Sequence, residues 1–298
     1  KLSILPTKLK VFCLFSASAF NLGNRDVVFH LFERANPTVS QPMLASAMSI
    51  MSTNFSIARN TVITIHGHNE SVSGNFNAFV TPAHLKVADI NLVAVDWSVG
   101  SGMYTQGLAN AAQCGEIIAE FINILQRDFN YPPARVRIVG VGLGGHIAGI
   151  AARNVEGEIP HITAIDPSLH GWTHNPEKLN FDDAEVVEVL HATAGYLGYD
   201  EPLGDIDFYP NGGSYQIGCG VDISCSHTFG YAFYAESISQ EEDGGEKFVG
   251  TACESYEEAM AQECTGDKDV VFGGSEDKTS AFGVYHFRTN PVPPFARG

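Results

Sequence analysis

Five short β-branched runs, separated by stretches of helical periodicity, constrain this chain more than any other feature. TVITIH (61–66), NLVAVDW (91–97), RVRIVG (135–140), HITAID (161–166) and VVEVLHA (186–192) read as buried strands. Between the second and third, NAAQCGEIIAEFINILQRDF places Ile117, Ile118, Phe121, Ile122 and Leu125 at helical spacing, and a further helix is expected from His146 to about Asn154. Strands alternating with helices predict an α/β fold, with a central, mostly parallel sheet and helices on both faces. The earlier run DVVFHLF (26–32) is expected to add an antiparallel edge. Hydrophobic residues at 44% against 17% charged supply ample material for such a core. No repeat or linker divides the chain, so residues 1–298 read as a single domain.

Ligands and catalytic groups of such sheets gather at the carboxyl ends of the strands. That rule selects His66-Gly67-His68, Asp96-Trp97-Ser98, Gly140 to Gly145, Asp166-Pro167 and His191. Gly140, Gly142 and Gly145 satisfy G-x-G-x-x-G, a spacing that lets backbone amides approach a pyrophosphate. Several strands precede it, however, whereas a dinucleotide fingerprint sits on the first strand of its unit. The competing frame is the nucleophile elbow G-x-S-x-G, in which a strained strand-to-helix turn holds a serine above the sheet. Gly140-Val141-Gly142-Leu143-Gly144 fits it with one change, glycine at the middle position.

The surrounding blocks extend the comparison. VVFHLFERANP (27–37), VITIHGH (62–68), NLVAVDWS (91–98), VGVGLGGHIAG (139–149), ITAIDPS (162–168), DAEVVEVLHATAG (183–195), PLGDIDFYPNGGSYQIGC (202–219), CSH (225–227) and YHFRTN (285–290) follow one another in a familiar order. In these the chain resembles the pancreatic-lipase family, particularly its insect branch of neutral lipases, venom phospholipases and yolk proteins. The resemblance implies an α/β-hydrolase fold that ends without the C-terminal β-sandwich of the pancreatic enzymes. It assigns Asp166 as triad acid, His227 as triad base and Gly142 to the place of the nucleophile. His68 and Leu143 match the oxyanion-hole positions, and GVDIS, between Cys219 and Cys225, matches a lid reduced to five residues.

A serine hydrolase transfers an acyl group to an oxygen that its histidine activates. Glycine offers none. The resemblance therefore implies a lipase homologue that is no longer an enzyme and holds an apolar ligand (a lipid, sterol ester or pigment) without cleaving it, or serves as a yolk or haemolymph storage protein. The expected groove lies above Gly142, bounded by His68, Leu143 and the loop from Asp200 to His227. A weak or unconventional ester hydrolase, and a protein-interaction module with an empty groove, are the alternatives. No catalytic cofactor follows from this reading.

Charge narrows the partners. With 17 basic against 34 acidic side chains the net charge is −17, so the phosphate contacts of nucleic-acid binding are not available. No apolar stretch approaches the ~20 residues of a membrane span. Six cysteines, the sequons at Asn54 and Asn69 and the acidic balance point to a secreted protein. Local spacing favours Cys219 with Cys225 and Cys253 with Cys264, leaving Cys13 and Cys114 for each other or as free buried thiols. The stretch KLKVFCLFSASAF resembles the end of a signal peptide but reads as folded chain. The acid-rich stretch from Glu236 to Glu263 reads as a solvated, disulfide-tied surface segment. His66 and His191 read as core histidines, and Asp96 and Trp97 as orienting the site wall. The acidic positions around Asn180 and Asp183 only partly match a calcium site, so no metal is implied.

Overall fold

A computed structural model describes residues 22–276 and 278–298. The signal-like stretch and Cys13 lie outside the described residues. The strands are β1 (Val28–Glu33), β2 (Asn36–Met43), β3 (Thr61–Ile65), β4 (Asn91–Asp96), β5 (Val136–Val141), β6 (His161–Ile165), β7 (Val187–Leu190), β8 (Ile206–Pro210), β9 (Val249–Cys253), β10 (Lys268–Val271) and β11 (Gly283–Phe287). The helices are α1 (Ala47–Met51), α2 (Asn75–Val87), α3 (Ser98–Ser101), α4 (Tyr104–Phe129), α5 (Leu143–Arg153), α6 (Ile223–Asp243) and α7 (Tyr256–Ala261).

All of these strands join one sheet in the order β10-β9-β11-β8-β7-β6-β5-β3-β4-β1-β2. From β4 through β11 in that order the neighbours pair in parallel, while β1, β2, β9 and β10 pair antiparallel at the flanks. The expected antiparallel edge at 26–32 is therefore present as β1, with β2 outside it.

The strands sort their own side chains onto two cores, because successive residues point to opposite faces. Ile63, Ile65, Val93, Val95, Ile138 and Ile162 pack on one face with Ile118, Phe121, Ile122 and Leu125 of α4 and Ile147 and Ile150 of α5. Leu92, Ala94, Val139, Val141, Ile165 and Leu190 pack on the other with Phe76 and Val80 of α2 and Tyr231 and Phe233 of α6. Each fully buried aliphatic or aromatic side chain stabilises the fold by about 1.5–3 kcal/mol. Phe29 stacks on Phe121 at 4.2 Å, fastening the antiparallel flank to α4.

Three expectations are refined. The segment from Glu236 to Glu263 is tied by a disulfide and exposed over 242–247 as expected, but it also carries the end of α6, α7 and the strand β9, which lies inside the sheet between β10 and β11. Its first acid, Glu236, accepts hydrogen bonds from the Phe295 and Ala296 amides at 2.8 and 2.7 Å. The two local disulfides, Cys219–Cys225 and Cys253–Cys264, are formed. Cys114, by contrast, is a free thiol, buried on the core face of α4, where burial pushes its pKa up. Finally, α4 begins at Tyr104 and α5 at Leu143, earlier than their apolar spacing marks, because small residues and glycines fill their first turns.

Candidate active site

The turn from β5 into α5 is held by backbone bonds on both sides: the Gly142 amide donates to the Ile165 carbonyl at 3.1 Å and the Ser168 amide to the Gly142 carbonyl at 3.2 Å. Gly142 sits at φ 58°, ψ −117°, a conformation that strains any residue with a side chain. Gly144 answers a different need. A Cβ there would lie 2.1 Å from the Ile65 carbonyl oxygen, so only glycine lets α5 start this close to β3.

Asp166, at the end of β6, is buried and also takes positive φ, 46°. One of its oxygens accepts the Ala192 and Thr193 amides, both at 2.8 Å; the other accepts the Thr193 hydroxyl at 2.5 Å and His227 Nδ1–H at 2.6 Å. The amide-bearing turn is in turn fixed by His191, whose Nδ1 bonds the Tyr199 carbonyl at 2.7 Å and whose Nε2 bonds Asp207 at 2.8 Å. His66 is a core histidine as expected, with Nε2 accepting the Trp97 amide at 3.2 Å.

Burial raises the Asp166 pKa, but the hydrogen bonds and charge of His227 and the Thr193 contacts outweigh it, and the net shift is downward. Burial likewise lowers His227, and the Asp166 bond and charge, with Glu70 adding, shift it above 6.5. The signs fix two pH windows. The His227 contribution to stability is complete below 6.5 and is lost as pH rises through the raised midpoint; that of Asp166 holds above 3.8 and is lost as pH falls through the lowered one. His227 is accordingly expected to titrate above 6.5 by NMR, and the midpoint to fall in Asp166→Asn. A native midpoint at or below 6.5 would contradict the pairing.

With Nδ1 engaged, His227 turns its other edge toward Gly142. A Cβ built on Gly142 would lie 3.7 Å from both Nε2 and Cε1 of His227 and 3.5 Å from Ser168 Oγ, ordinary contact distances. The space for a side chain is open, and the imidazole that would activate one is in place.

Above this point lies a cleft of about 490 Å³, within the roughly 300–1,000 Å³ of small-molecule sites. His68, Leu143, Gly142 and His227 all line it, so the structure brings together the positions that the sequence singled out. Leu143 is the first residue of α5, where amides lack an intrahelical partner. The His68 ring meets Tyr104 edge to face at 5.6 Å.

The expected boundary is corrected in part. From the stretch between Asp200 and His227 only Ser224 and His227 reach the cleft; Leu197, Tyr104, Tyr231 and His170 form the rest of its apolar and aromatic wall. The five-residue lid is mostly helix start: Asp222 caps α6 through the Cys225 amide at 3.0 Å, Ile223 and Ser224 belong to α6, and Val221 is 88% exposed. Asn54 and Asn69 are both exposed, and the Asn54 amide group donates to Glu33 at 2.9 Å. At the partial calcium match, Arg153 bonds Asp183 at 2.5 Å. Among the described residues no group of three or more His, Cys, Asp or Glu could hold a metal ion, and no helix is long and apolar enough to cross a membrane.

Comparison with known proteins decides the lineage. A family model described as Lipase matches residues 14–280. The chain belongs to the lipase family. This lipase-family member is 32% identical to a pancreatic triacylglycerol lipase of Cavia porcellus over 80% of its length and 56% of the relative's. It is 34% identical to the human pancreatic triacylglycerol lipase over 79% and 56%. With the "Inactive pancreatic lipase-related protein 1" of Mus musculus it shares 33% identity over 79% and 55%. The chain thus spans little more than half the length of these relatives. Its mostly parallel sheet, with helices on both faces, Asp166 directly after β6 and His227 near the start of α6, is that of an α/β-hydrolase.

Sequence reasoning missed Thr193, Asp207, Ser168 and Tyr104. The first three lie inside the quoted blocks HATAG, DIDF and IDPS, but nothing in their spacing reveals that they converge on Asp166 or on the cleft.

Proposed function

We propose that this lipase-family member is a secreted, catalytically inactive homologue that binds and carries or stores an apolar ligand in the cleft above Gly142. One observation carries the reading: the Asp166–His227 pair faces a position that has room for a nucleophile and has no side chain. In this reading His68 and Leu143 are the former oxyanion hole. Amides that once stabilised a reacting oxyanion retain their use as donors to a carbonyl or carboxylate oxygen. Leu143, Leu197, Tyr104 and Tyr231 supply apolar contact for an acyl chain, sterol ester or pigment. A family that includes a mouse protein named inactive accommodates such a loss. Disulfides at 219–225 and 253–264 support an oxidising, extracellular setting.

The test is mass spectrometry of the gently purified protein under native and denaturing conditions, with analysis of the organic extract. The native mass is expected to exceed the denatured mass by that of a lipid-sized molecule, which appears in the extract. Equal masses, with no apolar compound extracted, would overturn carriage. Ester turnover dependent on His227 would overturn inactivity and favour the hydrolase alternative.

A further inference from the structure

A second cleft, of about 410 Å³, opens beside the distal flank of the sheet and shares no lining residue with the one above Gly142. Its lining includes Lys247, Lys268, Arg288 and Arg297, and no Asp or Glu is among the described residues that line it. In a chain of net charge −17 with 17 basic side chains, four of them on one concavity is a concentration that the overall composition opposes. Like charges so placed repel one another, and a surface merely solvating a β-sheet edge does not require them.

Among the described residues, a side-chain carboxylate offsets only one of these four charges. Lys247 pairs with Glu276, and Lys268 Nζ donates to the Gly298 carbonyl. Among the described residues no carboxylate lies within ion-pair distance of Arg288 or Arg297. His286, also in the lining, is 7% exposed, and its Nε2 has no hydrogen-bond partner. A buried ring nitrogen without a partner is costly unless something supplies one.

The geometry points to an oxyanion site: this cleft binds a phosphate or sulfate group through Arg288 and Arg297, with Lys247 and Lys268 adding charge. A guanidinium offers planar, forked donors to a tetrahedral oxyanion, while the lysines act as point charges. Burial and the neighbouring Arg288 charge lower the His286 pKa to about 4, so at neutral pH its ring is uncharged and adds no further repulsion. The phosphate can be free or carried on a lipid headgroup, and the site is independent of the proposed apolar cleft.

Isothermal titration with inorganic phosphate and with sulfate, at low ionic strength, tests it on the full chain. Saturable binding is expected, weakened at least about tenfold in Arg288→Ala/Arg297→Ala, whose side chains are exposed and do not line the cleft above Gly142. Arg127→Ala, an exposed arginine outside the cleft, is expected to bind as the native protein does. Sedimentation with phosphatidate vesicles, against phosphatidylcholine vesicles, assigns the source: co-sedimentation that needs Arg288 and Arg297 indicates a headgroup, and titration binding without it a soluble anion. Absence of saturable binding up to about 10 mM, far weaker than charge-assisted sites hold their anions, would overturn the assignment. So would a double variant that binds undiminished.

Discussion

The Gly142→Ser variant is expected to react covalently with a fluorophosphonate probe, and the native protein to remain unlabelled under the same conditions. A serine Cβ would stand 3.7 Å from His227 Nε2, a separation from which a hydroxyl one bond further on can reach the roughly 2.6–3.2 Å over which a base activates a nucleophile. Asp166 already holds the imidazole with Nδ1–H directed away, at 2.6 Å, which leaves Nε2 to accept the proton. In a serine protease, removing the nucleophile costs about 10⁶ in turnover. Even a partial restoration is therefore expected to raise the hydrolysis of a short-chain ester by at least about 10³ over the native protein.

The substitution also costs stability, about 1–3 kcal/mol, because serine must adopt the φ of 58° that glycine takes freely. Gly142→Ser/His227→Ala serves as the control, and it is expected to be unlabelled. Labelling of the native protein would locate another nucleophile in the cleft, with Ser168 Oγ the first candidate at 3.5 Å from the Gly142 Cβ position. An unlabelled Gly142→Ser protein of native fold would show that the dyad has lost catalytic geometry as well as its nucleophile.

The strands that the sequence revealed are the central ones, and the reason is physical. β3, β4, β5, β6 and β7 are covered on both faces, so their runs are mostly apolar and β-branched and stand out. β9 (VGTAC) and β10 (KDVV) lie at the flank, are only partly buried, and carry glycine, threonine or charge. β9 enters the sheet by pairing with β11, a contact between residues distant in the chain, and β10, among the described residues, is held only through β9. The acid-rich segment was legible only as surface for a related reason: its count averages the exposed Glu242, Asp243 and Glu246 with Phe248, which is 1% exposed in the core. Asp166 and His227 were legible because each sits in a block with a known place in the family. Thr193 and Asp207 were not, since what gives them a role is a chain of bonds from Asp207 through His191 to the turn whose amides hold Asp166. Cys114 shows the limit of counting cysteines: leaving a pair over by elimination says nothing of whether a helix buries one of them in the core.

VVEVLHA, read as a buried strand, contains one residue that contradicts its surroundings, and the structure explains it. Glu188 is 0% exposed, and its carboxylate accepts Lys278 Nζ and the Gly273 amide, the latter at 3.0 Å, with His161 Nε2 at 3.4 Å. Lys278, itself 5% exposed, also donates to the Gly273 carbonyl at 2.6 Å. This pair ties the segment after β10 to β7. Burial would raise the Glu188 pKa, but the Lys278 charge and the His161 bond bring it down to about 2, so the carboxylate is ionised at neutral pH. Lys278→Met is expected to destabilise the protein by about 3–5 kcal/mol at pH 7, because it strands a buried charge instead of merely deleting a contact. Glu188→Leu/Lys278→Met removes both charges and is expected to recover most of that loss. The sign in pH follows from the depressed carboxylate: its contribution is present above 4.5 and lost as pH falls toward 2, so the deficit of Lys278→Met shrinks across that interval. Urea denaturation at pH 7 and pH 3 measures both quantities. A deficit below about 1 kcal/mol at pH 7, or one that does not shrink on acidification, would mean that Glu188 finds water when Lys278 is removed and that the pair is not what fastens this segment to the sheet.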